Sequence, residues 1–244
     1  MFQALQLNSE TDIAEPARRF GEAGYAIVNA VLDAASAQRL RDTAIACQDW
    51  SLVTVIEGQH REFVSAEMER LDPPRRIAFE ALVAQEARSG FCYLYDQLNI
   101  YERGRRGALG DPGLAAAAAL IASDAFIDLG RRLTGDPEIR FADCQLTRYR
   151  PGHFLTAHDD FAAGKDRSAA FVLNLTEDWC ADFGGVLQLL DAHGDVRAGL
   201  TPRFNRLSLF KVPQPHAVSV VAPYAPGPRL AITGWFRRDT EPVL

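Results

Sequence analysis

Apolar and polar residues alternate along the first half of the chain in a pattern that predicts mostly helices. Apolar side chains recur every three or four residues, the spacing of one helix face, in segments 13–23, 33–47, 75–88, 114–122 and 123–133. Asp33 and Ser123 are predicted N-caps, because a side-chain oxygen just before a helix can accept from its first N–H groups. Shorter apolar runs predict strands at 25–28, 50–56 and 91–95.

Two further segments of this half have distinct predictions. The strand at 91–95 carries aromatic residues at alternate positions, so one of its faces is aromatic and either packs in the core or lines a substrate groove. Residues 101–112 are rich in Gly and Arg, which predicts a mobile loop.

From residue 139 the pattern changes to short strands separated by Gly, Pro and Asp. These segments are 139–150, 153–157, 169–175, 186–190, 206–211, 217–221 and 229–237. Short strands at this spacing are typical of a sandwich or barrel, and two facing sheets of a jelly roll fit them. We therefore predict an α+β fold with a mainly β core. One domain covers 1–244, in which a mostly helical region with a few strands, 1–136, supports a double-stranded β-helix (jelly roll) at 137–238.

Composition narrows the function classes. The net charge of −6 argues against a general affinity for nucleic acid or a membrane surface, since both are polyanionic. The four cysteines have no zinc-ligand spacing, which favours free thiols in a reducing compartment. No secretory signal and no apolar run of membrane-spanning length is recognisable, so we expect a cytoplasmic protein.

The candidate chemistry lies in the sequence His158-Asp159-Asp160. On a strand, residues two apart project from the same face, so His158 and Asp160 can hold one ion while Asp159 points away. His216, from a later strand, would complete two imidazoles and one carboxylate. That donor set is the facial triad of non-haem Fe(II) oxygenases, although the same atoms also bind Mn, Co, Ni or Zn.

Five sequence elements occur in the order found in one enzyme family. They are Tyr149-x-x-Gly152, His158-x-Asp160, Trp179 with Gly184-Gly185, His216, and Arg229-x-Ala231-Ile232-Thr233-x-Trp235. Over about 141–237 the chain resembles the 2-oxoglutarate- and Fe(II)-dependent dioxygenases, in the prolyl 4-hydroxylase-like branch. Within this branch, the sequence is most similar to bacterial relatives of the ribosomal-protein and oxygen-sensing prolyl hydroxylases.

The resemblance implies an oxidoreductase that couples oxidative decarboxylation of 2-oxoglutarate to hydroxylation. Its cofactor would be Fe(II), with 2-oxoglutarate as cosubstrate and O2 as oxidant; ascorbate is a further candidate because related enzymes often use it. The metal ligands would be His158, Asp160 and His216. The carboxylate of Asp160 favours hydroxylation, since related halogenases lack a carboxylate there.

The resemblance also implies roles around the cosubstrate. Arg229 would anchor the distal carboxylate of 2-oxoglutarate, because a guanidinium offers a planar fork of donors. Thr233 lies on the same strand face and Tyr149 stands where related hydroxylases use a tyrosine hydroxyl. Asn174 stands where several relatives carry tyrosine, so its part in binding 2-oxoglutarate stays open. Candidates for contact with substrate, or for support of the metal ligands, are Trp235, Arg167 and Tyr93.

The substrate is predicted less directly. The resemblance implies that the substrate is a prolyl residue in a protein or peptide. Only fold-level analogy suggests that this substrate belongs to the translation apparatus. Two alternatives stay open: a hydroxylase of a free amino acid or small metabolite, and a non-catalytic sensor that binds metal and 2-oxoglutarate. Arg229 argues against a module that binds metal alone, since such a module needs no cosubstrate anchor.

Overall fold

The computed structural model describes residues 4–241. Its helices are α1 Ala14–Ala23, α2 Ala34–Ala46, α3 Ser65–Glu69, α4 Pro73–Ser89, α5 Ile100–Arg105, α6 Pro112–Ile121 and α7 Asp124–Thr134. Its strands are β1 Tyr25–Asn29, β2 Ser51–Ile56, β3 Gln59–Val64, β4 Tyr93–Leu98, β5 Phe141–Tyr149, β6 Phe154–His158, β7 Arg167–Asn174, β8 Leu187–Leu190, β9 Val196–Leu200, β10 Arg206–Lys211, β11 His216–Val218 and β12 Arg229–Arg237.

The strands form one twelve-stranded antiparallel sheet that curls into the half-barrel of a jelly roll. Its order is β1-β10-β7-β12-β5-β4-β6-β11-β8-β9, with β2 and β3 attached to β4. The N-terminal region therefore does more than support the jelly roll, because it supplies β1 and β4 to the same sheet. The predicted α+β fold with a jelly-roll core is confirmed.

The two faces of the central strands carry different cores. Along β7 and β12, Phe171 and Phe236 point to one face and pack with Phe126 of α7, with ring centroids 5.1–5.3 Å apart. Alternate residues point into the half-barrel and join a second core, in which Val172 and Ala231 are buried. The period-two alternation thus places helices on one face and a cavity on the other.

Local capping explains why the helices begin where they do. The Asp33 side chain accepts from the Ser36 N–H at 2.9 Å, and the Ser123 hydroxyl accepts from the Phe126 N–H at 3.2 Å. Both predicted N-caps are confirmed. Helix α7 ends at Gly135, whose φ of 70° is a conformation that glycine adopts without strain.

Several predictions of the sequence were wrong or incomplete. The segment 101–112 is not simply a loop, because α5 occupies Ile100–Arg105. Asn99 is its N-cap, and the Asn99 side chain accepts from the Glu102 N–H. The strands β3 and β9 and the short helix α3 were not predicted. The aromatic strand runs from Tyr93 to Leu98 rather than from 91 to 95.

Among residues 4–241, no single helix is long and apolar enough to cross a membrane. The pair α6 and α7, bent by 44°, passes that test on length and composition alone. Many of its apolar side chains lie in the core, including Leu120, Ile121 and Phe126.

Candidate active site

The three predicted metal ligands converge at the mouth of the half-barrel. His158 ends β6 and His216 begins β11, and the antiparallel register pairs the two residues directly. Their ring centroids lie 4.1 Å apart. Ligand atoms of His158, Asp160 and His216 all lie within 4.8 Å of one another, and within residues 4–241 no other cluster of three or more His, Cys, Asp or Glu residues does so.

Asp160 reaches this cluster by a turn and not by strand periodicity. Strand β6 ends at His158, and Asp160 follows in a left-handed conformation with φ of 63°. The backbone carbonyl of Asp160 accepts from Arg167 Nη1 at 2.8 Å. His158 and Asp160 therefore lie together as predicted, but the prediction that they share one strand face was wrong.

Hydrogen bonds to the backbone orient both imidazoles. His158 Nδ1 lies 3.0 Å from the Thr156 carbonyl and His216 Nδ1 lies 2.7 Å from the Gln214 carbonyl. A neutral ring that donates through Nδ1 presents the lone pair of Nε2. These Nε2 atoms lie 3.2 and 3.5 Å from the two carboxylate oxygens of Asp160. Lone pairs that face each other at this distance repel, and a cation between them removes the repulsion.

Burial tunes these groups for metal binding. Burial lowers the pKa of His216 to about 4, and the neighbouring His158 adds to the shift, so His216 is neutral at pH 7. Two imidazoles and one carboxylate on one side of a site fit Fe(II).

Arg229 lies deeper in the same cavity. It begins β12 opposite Tyr149 of β5, and it is only 2% exposed. Its Nε is buried without a hydrogen-bond partner within the described part of the chain. Burial lowers its pKa, and its guanidinium lies over the Tyr149 ring at 5.1 Å, with no carboxylate contributing. A guanidinium stays protonated even so, so the residues present fit a carboxylate ligand at this position.

The Gly184-Gly185 pair makes room for this arrangement. Both residues have positive φ, 68° and 62°. A Cβ on Gly184 would lie 1.9 Å from the Val220 carbonyl oxygen, and one on Gly185 would lie 3.1 Å from Arg229 Cδ. The predicted tight turn is therefore also a close approach to the buried arginine.

The cavity has a volume of about 410 Å³ and contains most of the predicted site residues. Its lining includes the three candidate metal ligands and Arg229, together with Tyr93, Tyr149, Arg167, Thr233 and Trp235. Asn174 is the exception, because it is buried beside β10 and its amide donates to the carbonyls of Val172 and Arg206 at 3.3 and 3.1 Å. The structure does not bring Asn174 to the cavity.

The aromatic face predicted at 91–95 lines the cavity, whereas Phe161 and Phe210 on the same wall were not predicted. Tyr95 stacks on Tyr149 with centroids 4.9 Å apart, and Phe210 lies 4.4 Å from the His216 ring. Two aromatic side chains at the mouth are exposed, Phe91 by 49% and Phe161 by 75%. The alternation of Phe91, Tyr93 and Tyr95 was the available signal for half of this wall.

Comparisons with known proteins agree with this geometry. Residues 144–237 match the sequence model of the 2OG-Fe(II) oxygenase superfamily. Prolyl 3-hydroxylase sudestada1 of Drosophila melanogaster is 30% identical over 117 residues, which cover 43% of this chain and 21% of that protein. A prolyl 3-hydroxylase of Mus musculus is 35% identical over 101 residues, covering 38% and 18%. The chain thus spans about a fifth of the length of these curated relatives.

Solved structures show the same fold. A Pseudomonas putida prolyl-4-hydroxylase superposes with a TM-score of 0.58 at 22% identity, covering 94% of this chain and 100% of that one. A prolyl hydroxylase from Trichoplax adhaerens, solved with a hypoxia inducible factor peptide fragment, gives 0.63 at 18% identity, covering 93% and 89%. Residues 144–237 of the chain thus resemble the 2OG-Fe(II) oxygenase superfamily, and solved prolyl hydroxylases share the fold of the chain.

Proposed function

We propose that this protein is a 2-oxoglutarate- and Fe(II)-dependent dioxygenase that hydroxylates a prolyl residue in a protein or peptide. One observation carries the proposal: a histidine–aspartate–histidine cluster faces the same cavity as a buried arginine, whose Nε has no hydrogen-bond partner among residues 4–241. A metal-binding module without turnover has no use for the arginine. Burying a guanidinium without a partner costs free energy, which a carboxylate ligand would recover.

The chain's own residues would divide the work as follows. His158, Asp160 and His216 would hold Fe(II), and Arg229 would bind the distal carboxylate of 2-oxoglutarate through paired N–H donors. When bound, Fe(II) and 2-oxoglutarate supply the oxidising chemistry, with O2 as oxidant and ascorbate as a proposed reductant for inactive iron. The aromatic wall excludes water and strengthens the electrostatic interactions inside.

The hydroxyls near the cosubstrate have separate tasks. Thr233 lines the cavity on the same strand as Arg229, so its hydroxyl can donate to the same carboxylate. Tyr149 stacks under Tyr95, and burial raises its pKa well above the ordinary value. Tyr149 therefore stays protonated and acts as a hydrogen-bond donor and not as a base.

The residues at the mouth of the cavity favour a polypeptide as the substrate. Phe91 and Phe161 present exposed rings on the lining of the cavity, a surface suited to the uncharged ring of proline. The solved relative with a bound peptide and the sequence relatives named as prolyl 3-hydroxylases support the same substrate class. The sequence relatives are named as prolyl 3-hydroxylases and the Pseudomonas putida structure as a prolyl-4-hydroxylase, so the hydroxylated ring carbon has to be measured.

The experiment supplies purified protein with Fe(II), 2-oxoglutarate, ascorbate and air, and offers either a proline-containing peptide library or free L-proline. We expect peptides that gain one oxygen atom and yield hydroxyproline on hydrolysis, whose isomer chromatography assigns. Oxidation of free L-proline alone would support the small-metabolite alternative. Binding of Mn(II) and 2-oxoglutarate without any succinate would support the sensor.

A further inference from the structure

Asp160 is held by contacts other than those to the two histidines. Trp235 Nε1 donates to its Oδ2 at 2.8 Å, and Arg167 Nη1 donates to its backbone carbonyl at 2.8 Å. The Arg167 guanidinium also lies flat over the Trp235 ring, 3.8 Å from its centroid. These three residues form a closed triangle beside the candidate metal site, here called the aspartate clamp.

The conformation of Asp160 explains why such a clamp is needed. Its φ of 63° is one that residues other than glycine rarely adopt, and it persists only where the surroundings over-determine it. Arg167 holds the carbonyl of this turn from the start of β7, and Trp235 holds the carboxylate from β12, the strand paired with β7. Neither contact comes from β6, the strand that positions His158.

The clamp also distinguishes the two carboxylate oxygens. Oδ2 already accepts a hydrogen bond from Trp235, whereas Oδ1 lies 3.2 Å from His158 Nε2 and 3.9 Å from the nearest Arg167 nitrogen, too far for a hydrogen bond. Oδ1 therefore keeps its lone pairs for a cation. The Asp160 side chain is only 7% exposed, so solvent cannot easily replace the Trp235 donor.

Resting on the proposed iron site, we propose that Trp235 and Arg167 are positioning residues which hold Asp160 as a ligand through Oδ1 alone. Neither residue binds the metal itself. Trp235 restrains the carboxylate and Arg167 restrains the turn that carries it. Because the two side chains stack on each other, loss of either side chain weakens both the restraint on the carboxylate and the restraint on the turn.

The test measures metal affinity, with Mn(II) as the probe and the free ion followed by electron paramagnetic resonance. Trp235→Phe keeps an aromatic ring under Arg167 and removes only the N–H donor. Arg167→Met keeps the alkyl stem and removes the guanidinium, and Arg167→Lys restores a charged donor. Groups that orient metal ligands are worth about 10–100-fold in metal affinity, so Trp235→Phe and Arg167→Met should each weaken Mn(II) binding about 10-fold or more. Arg167→Lys should recover part of the loss.

Matched controls come from the same chain. Trp50 is buried and donates from Nε1 to the Cys47 carbonyl at 2.8 Å, and Arg197 donates to the Ala23 carbonyl and lies over Tyr25. Trp50→Phe and Arg197→Met therefore remove the same kinds of contact away from the metal site. Both should bind Mn(II) like the native protein.

A second readout follows the coordination itself. With Co(II) as the probe, Trp235→Phe frees Oδ2 to join Oδ1, so the visible d–d spectrum should change, whereas in Trp50→Phe it should not. Unchanged Mn(II) affinity and an unchanged Co(II) spectrum in folded Trp235→Phe and Arg167→Met would overturn the clamp. If the native protein fails to bind Mn(II) or Co(II) at all, the proposed function fails instead.

Discussion

The buried guanidinium of Arg229 leads to a prediction about stability as well as binding. Arg229→Met keeps a side chain of similar length and removes the charge. Because Arg229 is 2% exposed and its Nε has no partner among residues 4–241, the native protein without ligand carries the cost of an unpaired buried ion. We therefore expect the variant to be more stable than the native protein and unable to bind 2-oxoglutarate.

The structure sets the size of this effect. Replacing a buried ion pair by well-packed apolar side chains is often neutral or stabilises a protein by about 1–4 kcal/mol, and an ion without a partner has no Coulombic attraction to offset its desolvation. The cation–π contact with Tyr149 at 5.1 Å offsets part of this, about 1–2 kcal/mol for a desolvated pair. The middles of these two ranges leave a net gain of about 1 kcal/mol, which raises Tm by roughly 2–4 °C in a domain of this size.

The assay is thermal unfolding without ligand and with Mn(II) and 2-oxoglutarate. A ligand at about 100 times its Kd stabilises the native state by about 2.7 kcal/mol. When 2-oxoglutarate is added, the native protein should therefore become more stable to thermal unfolding than the variant. The variant should respond to Mn(II) but not to 2-oxoglutarate. A ligand-free variant less stable than the native protein, or one that still responds fully to 2-oxoglutarate, would refute the reasoning.

Three further predictions concern stability. Burial lowers the pKa of His153 from 6.5 to about 4, so as pH falls the unfolded chain binds a proton at this residue before the folded protein does. The contribution of His153 to the free energy of unfolding is therefore fully present above pH 6.5 and declines by up to about 3 kcal/mol towards pH 4. Urea midpoints of His153→Gln should show a flatter decline over that range. Gly130→Ala places a Cβ 2.5 Å from the Phe236 ring and should cost about 1–3 kcal/mol by chemical denaturation, whereas Gly21→Ala meets nothing within 4 Å and should be neutral or stabilising. Asp96 is fully buried between two arginines at 2.8 Å, so Asp96→Ala should cost about 3–5 kcal/mol in the same assay; a loss below 1 kcal/mol would contradict the buried network.

The parts of the fold that the sequence predicted well depend on local physics. Asp33 and Ser123 cap helices through residues only three positions away, so the signal lies within one short segment. The helix α5 was missed because Gly104 argues for a loop. In the fold that glycine faces Ala118, where an added Cβ would lie 3.2 Å from the Ala118 Cβ, a contact that no local pattern reveals.

The site shows the same division between local and distant determinants. The identities of His158, Asp160 and His216 could be predicted from spacing and order, and their convergence is confirmed by the antiparallel register. The left-handed turn at Asp160 could not be predicted, because Trp235, which restrains its carboxylate, is 75 residues away. Asn174 was placed near the cosubstrate by position in the sequence, yet backbone carbonyls of two strands satisfy its amide.

The most direct test of the central claim is succinate formation from 2-oxoglutarate in air with added Fe(II), comparing the native protein with Asp160→Ala. The account predicts succinate from the native protein, increased by an oxidisable prolyl peptide, and none above background from folded Asp160→Ala. Equal succinate from both proteins would contradict the assignment of the metal site. Failure of the native protein to form succinate, or to bind Fe(II) and 2-oxoglutarate without oxygen, would contradict the proposed dioxygenase itself.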